Sequence, residues 1–149
     1  MLKGIDPRID ADLLRALAAM GHGDLLAVVD ANFPAESVAR ATVEGRPLRI
    51  GADAPGAVGA VLSLMPLDGF VEDFAARMEV VGEPATVPPV QAEVQVEIEA
   101  AEGEPRPMVP VERFAFYERA RGAYAVLRTA ERRFYGCFLL RKGVIPPPR

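Results

Sequence analysis

The chain has 149 residues, half of them hydrophobic and 26% charged, and its net charge at neutral pH is −4. This is the composition of one folded domain; it excludes a disordered chain and argues against nucleic acid, which needs a clustered basic surface. A single cysteine excludes an intrachain disulfide framework, one histidine and one cysteine argue against a dedicated zinc site, and no carboxylate-dense loop suggests another metal. The opening residues 1–7 lack the apolar core of a signal peptide, and the longest apolar stretch, 58–67, is too short to span a bilayer. With a lone cysteine, these features suit a reducing, cytoplasmic setting with no membrane partner.

In chain order, Asp10 is a good N-cap for a helix over 11–20, where Leu13, Leu14, Leu17 and Met20 recur at helical spacing and Gly21 serves as the C-cap. The apolar run 25–29 reads as a buried strand that ends at Asp30. A short strand fits 47–50. Asp53, with Pro55 in the first turn, starts a helix to about Met65, before the turn Pro66-Leu67-Asp68-Gly69. Residues 76–81 read as a strand. Val94, Val96 and Ile98 alternate as in a strand, but the Glu, Gln and Ala content and the preceding Pro88-Pro89 favour a helix over 89–101. A short strand over 108–111, a helix over 113–121 and strands over 123–128 and 134–140 follow, the last two joined by a charged turn at 129–133. The proline-rich tail 144–149 closes the chain. Alternating strands and helices predict a single α/β domain over residues 1–149, with helices packed on a mainly parallel sheet.

Four features could carry chemistry. Met20-Gly21-His22-Gly23-Asp24 places the only histidine between glycines where a helix ends, a setting suited to proton transfer, although a lone histidine there is more often an ordinary turn residue. Asp30, off the end of the buried strand, is placed to bind a polar ligand or to cap an Asx turn. Asp68 reads alone as a turn aspartate. On the helix 113–121, Arg113 and Tyr117 are four apart with Phe114 beside them, which fits either a polyol site or a packed helix with solvated charges. There is no phosphate-binding loop, dinucleotide fingerprint or Gly-x-Ser-x-Gly elbow. The one thiol, Cys137, sits in an apolar run where a thiolate is disfavoured.

Together these pieces resemble the RbsD/FucU family, in particular its L-fucose mutarotase branch. The resemblance rests on Leu2-Lys3-Gly4-Ile5, the run from Leu13 to Asp24, Val29-Asp30-Ala31-Asn32-Phe33-Pro34, Pro66-Leu67-Asp68, Arg113-Phe114-Ala115-Phe116-Tyr117-Glu118-Arg119-Ala120, Tyr135-Gly136 and Leu139-Leu140-Arg141-Lys142-Gly143. Only residues 82–108 look unlike the family. The resemblance implies a cofactor-free isomerase that interconverts the α and β anomers of a free monosaccharide such as L-fucose. It implies that His22 donates a proton at one site, that Asp68 with Tyr117 serves the other, and that Asp30 and Arg113 bind the sugar. Tyr135 and Gly136 match the first two members of a Tyr-Gly-Asn substrate-binding triplet; the third is Cys137 here, which loses the donors and acceptor of an amide. It further implies a ring-like homo-oligomer, a decamer of two stacked pentamers, in which Tyr135 completes a pocket with a neighbour's His22. Two other readings are a pyranose–furanose isomerase of the ribose-pyranase type and a non-catalytic sugar-binding accessory to uptake.

Overall fold

Strand β1 (Leu25–Val29) is apolar at every position. In the computed structural model, which describes residues 1–149, it is buried from Leu26 onward. Successive side chains of a strand point to opposite faces. Leu26 and Val28 therefore join one core, and Ala27 and Val29 join a second core on the other face. Such a strand belongs inside a sheet covered on both sides.

The remaining strands are β2 (Leu48–Arg49), β3 (Ala75–Met78), β4 (Val109–Val111), β5 (Ala125–Arg128) and β6 (Phe138–Arg141). They form one sheet in the order β2-β5-β1-β6-β3-β4. The pairs β1–β5, β2–β5 and β3–β4 are parallel, while β6 runs antiparallel between β1 and β3. The sheet is mainly parallel, as expected. The two C-terminal strands, however, do not pair with each other, because β1 lies between them.

Helices α1 (Ala11–Ala19), α3 (Ala54–Leu62) and α4 (Pro89–Glu102) cover one face of the sheet and supply its larger core. Helices α2 (Ala35–Ala39) and α5 (Arg113–Arg121) cover the other. In α4 the buried residues Val90, Val94 and Ile98 are spaced at i, i+4, i+8, and Val96 is exposed, so the helical reading of this stretch is correct. Helix α2 was not expected; it has five residues and no side-chain cap.

Several expected ends move: α3 stops at Leu62, not near Met65, and β3 at Met78, not Val81. Helix α1 stops at Ala19, and Met20, not Gly21, occupies the cap in extended conformation. The terminal carbonyls are met by a distant side chain: Lys142 Nζ donates to Leu17 O at 2.7 Å and to Met20 O at 2.5 Å. A cation there also faces the negative end of the helix dipole. Strand β6 begins at Phe138, not Phe134, and residues 134–137 form a loop in which Tyr135 has φ of +63°. Residues 144–149 have no regular structure, and Ile145 is exposed. No helix is long and apolar enough to cross a membrane.

Candidate active site

The residues singled out from sequence fall into two groups at opposite ends of the sheet. The first group surrounds His22, in the turn that enters β1. Its Nε2 lies 3.1 Å from Asp68 Oδ2. The imidazole is about half exposed, whereas the carboxylate is buried. Burial opposes ionisation of Asp68, but the Phe70 N–H donating to Oδ1 at 3.0 Å, the bond to His22 and the nearby Arg141 guanidinium outweigh it. The Asp68 carboxyl is thereby held below its ordinary range. The exposed Phe70 ring lies against the imidazole, with centroids 5.6 Å apart.

The end of β6 builds this pair. Gly23 N donates to Lys142 O, Lys142 N to Asp24 O, Asp68 N to Arg141 O and Gly143 N to Pro66 O, all at 2.8–3.0 Å. The three residues 141–143 thus hold the histidine turn on one side and the aspartate loop on the other. The approach is close: a Cβ on Gly143 would lie 2.4 Å from Leu67 O and 2.9 Å from Asp68 Cα. Arg106 supports the loop from outside, donating to Asp68 O at 2.7 Å while its guanidinium lies 3.6 Å from the Phe74 ring centroid.

The second group lines a cleft of about 230 Å³ where β1 and β3 end and β6 begins. Asp30, Arg113, Tyr117, Tyr135 and Cys137 all face it, with Phe33 and Phe134 as apolar walls. Asp30 forms the Asx turn that its sequence context allows: Oδ1 accepts from Asn32 N at 3.0 Å and Phe33 N at 2.9 Å, leaving Oδ2 outside the turn. Helix α5 starts at Glu112, whose carboxylate accepts from Phe114 N and Ala115 N at 3.0 Å. One turn on, Arg113 Nε donates to the Tyr117 hydroxyl at 3.0 Å. With its oxygen engaged as an acceptor, Tyr117 keeps its own O–H proton for a ligand. The Tyr117 ring packs edge-on against Phe33 at 5.4 Å.

Gly136 does not line the cleft. It lets the loop pass close to its neighbours: a Cβ there would lie 2.8 Å from Glu131 Cγ and 3.5 Å from Asp30 Cβ. Cys137 is buried, and burial together with the neighbouring Asp30 carboxylate pushes its thiol well above the ordinary range.

Glu131, which sequence reading left in an ordinary charged turn, proves to anchor this loop. It is almost wholly buried. Its carboxylate accepts from Ala54 N at the start of α3, from Arg133 N at 3.1 Å and from Arg133 Nε at 2.7 Å. The Arg133 side chain and these backbone donors overcome desolvation and hold the Glu131 carboxyl at about 2. The Arg133 partner is local, but the burial and the bond from Ala54 N, 77 residues away in sequence, leave no local pattern.

Strand β1 separates the two groups. Five residues at about 3.3 Å each put some 16 Å between them. Sequence reading grouped Asp68 with Tyr117 and set His22 apart; within one chain Asp68 is bonded to His22, and Tyr117 lies at the far end of the sheet. No three His, Cys, Asp or Glu side chains are placed to hold a metal ion.

The RbsD / FucU transport protein family matches residues 3–145. Human fucose mutarotase is 43% identical over 97% of this chain and 94% of its own. A solved structure described as a putative sugar binding protein is 57% identical, covers 98% of this chain and 97% of its own, and superposes with a TM-score of 0.96. Fucose mutarotase of Streptococcus pneumoniae, solved in complex with L-fucose, is 34% identical over 97% of this chain and 100% of its own, with a TM-score of 0.86. The chain belongs to the RbsD/FucU family.

Proposed function

We propose that this protein is a mutarotase that interconverts the α and β anomers of a free aldose, L-fucose or a close relative, at a site built from two copies of the chain. The observation that carries the reading is the division of the site. A proton-transfer pair, His22 and Asp68, stands half open at one end of the sheet, and a sugar-sized cleft bearing Asp30, Arg113, Tyr117 and Tyr135 opens at the other. A volume of 230 Å³ is below the range of about 300–1,000 Å³ found for drug-sized ligands and suits a single small ring. Each half carries exposed aromatic rings, Phe70 beside the pair and Phe114 and Phe134 at the cleft, as surfaces meant to be covered do. A closed ring, in this reading a decamer of two stacked pentamers in the cytoplasm, would bring every His22 to a neighbour's cleft.

Mutarotation needs one proton delivered to the ring oxygen and one removed from the anomeric hydroxyl. The C1–O5 bond breaks as the C1 carbonyl forms, C1 rotates, and the ring closes with both protons returned. The His22 imidazole exchanges one proton, with the ionised Asp68 orienting it and stabilising the imidazolium. Tyr117, held by Arg113, exchanges the other. Each positioned acid–base group contributes roughly 10²–10⁴-fold. Asp30, Arg113, Tyr135 and Cys137 bind the sugar and fix its ring. Acid and base trade roles with the direction of reaction.

The test is saturation-transfer NMR on L-fucose, D-galactose, D-arabinose and D-ribose. Enzyme-dependent transfer between the α and β resonances of fucose supports the reading. Transfer only between pyranose and furanose forms of ribose contradicts it in favour of a pyranase, and binding without transfer in favour of an uptake accessory.

A further inference from the structure

Tyr135 is the only residue other than glycine with a positive φ, +63°. A bulky residue in the left-handed region is strained, and such a conformation persists only where its surroundings over-determine it. Here the surroundings come from β3, α4 and the loop between them. Gln91, in the first turn of α4, is completely buried. Its Nε2 donates to Tyr135 O at 3.1 Å and to Met78 O at 2.6 Å. Its Oε1 accepts from the buried Arg77 guanidinium at 3.1 Å. The orientation of the amide is thereby set: the oxygen faces a cation and the nitrogen faces two carbonyls. On the other side of the residue, Val81 N donates to the Tyr135 hydroxyl at 3.3 Å. Tyr135 is gripped at both its carbonyl and its phenol, and the rest of its ring faces the cleft.

We infer that Gln91 is a positioning residue for sugar binding: from a helix that does not line the cleft, its amide holds Tyr135 in the left-handed conformation that turns the ring toward the ligand. The inference rests on the reading of Tyr135 as a sugar contact. A buried polar side chain with every hydrogen bond directed is costly to replace, and that cost is retained here for what it does to one neighbouring residue.

The chain has three tyrosines and no tryptophan, which makes the test tractable. The protein is labelled with 3-fluorotyrosine, and Tyr135→Ala assigns the Tyr135 fluorine resonance by its loss. Gln91→Met removes the amide. Gln91→Glu keeps the length and the acceptor for Arg77, the contact that ties α4 to β3, but presents an oxygen to the Tyr135 and Met78 carbonyls. In both, the Tyr135 resonance should shift or split while that of Tyr124 stays. KM for L-fucose exchange should rise about fivefold to thirtyfold, the loss of one or two hydrogen bonds, with kcat within about threefold of the parent. A folded Gln91→Glu with the parent's Tyr135 resonance overturns the inference. So does an unchanged KM in that variant when Tyr135→Ala raises it. If Tyr135→Ala itself leaves KM unmoved, the fault lies with Tyr135 as a sugar contact, and a shifted resonance still shows that Gln91 sets its conformation.

Discussion

Gly143→Ala should separate the two halves of the proton-transfer pair. The added Cβ would lie 2.4 Å from Leu67 O, 2.7 Å from Leu67 C and 2.9 Å from Asp68 Cα, all of them main-chain atoms that no rotamer change can move. Ordinary contact begins near 3.4 Å, so the Leu67–Asp68 segment must retreat by about 1 Å from the end of β6. That movement strains the bonds Gly143 N to Pro66 O and Asp68 N to Arg141 O, which hold the aspartate beside His22. Overpacking of this kind costs about 1–3 kcal/mol, a melting point lower by very roughly 3–12 °C in a domain of this size. A displacement near 1 Å in a catalytic constellation costs about 10²-fold in rate. Gly21→Ala is the control, because the only atom near its Cβ is Asp24 Oδ2 at 3.7 Å and its φ is not positive. Melting curves and saturation-transfer rates on fucose should therefore show Gly143→Ala destabilised and slow, with Gly21→Ala close to the parent. A Gly143→Ala variant with the parent's rate and melting point would refute the argument that β6 positions the pair.

Glu131→Gln should loosen the loop that carries Tyr135. The Glu131 carboxyl is held at about 2 against an ordinary 4.5, so it binds fewer protons folded than unfolded. Its stabilisation is full above about pH 4.5 and is lost as pH falls toward 2. Linkage alone gives about 3 kcal/mol; screening around Arg133, which is 40% exposed, brings it to about 1–2 kcal/mol. Denaturant titrations should show parent and variant that far apart at pH 7 and converging by pH 2–3, whereas a constant gap would contradict the linkage. At Cys137, burial and the Asp30 carboxylate disfavour the thiolate, so iodoacetamide at pH 8 should modify the native protein at least tenfold more slowly than the unfolded chain. Cys137→Asn should tighten fucose binding by roughly 2- to 13-fold if the amide regains one hydrogen bond; no change for any sugar would place that side chain away from the ligand.

Much of this was legible locally. The apolar run of β1 announced a strand covered on both faces, and the spacing of Arg113 and Tyr117 announced their contact, because each depends on residues within one element. Asp10 and Asp53 cap their helices as their positions suggest. What escaped depends on distant parts of the chain. His22 and Asp68 are 46 residues apart in sequence and meet only because β6 joins their loops. Residues 134–137 look like the start of a strand, yet Gln91 and Val81 hold Tyr135 out of one. Helix α2 is too short for a periodic signal, and the end of α1 is set by Lys142, more than a hundred residues further on. The resemblance already implied a pocket joining Tyr135 to a neighbour's His22; that the two lie at opposite ends of one chain's sheet comes from the topology.

The most direct test of a site built from two copies is complementation. His22→Gln and Tyr135→Ala each disable a different half, so each oligomer alone should exchange fucose at least about 10²-fold below the parent for the first and measurably below it for the second. Dissociated, mixed in equal amounts and reassembled, the two variants should form sites that combine an intact His22 from one chain with an intact Tyr135 from another. With random assembly about a quarter of the sites carry both, so exchange should recover to about a quarter of the parental rate. Recovery no greater than the average of the two separate variants, in oligomers shown by mass spectrometry to contain both chains, would contradict the shared site.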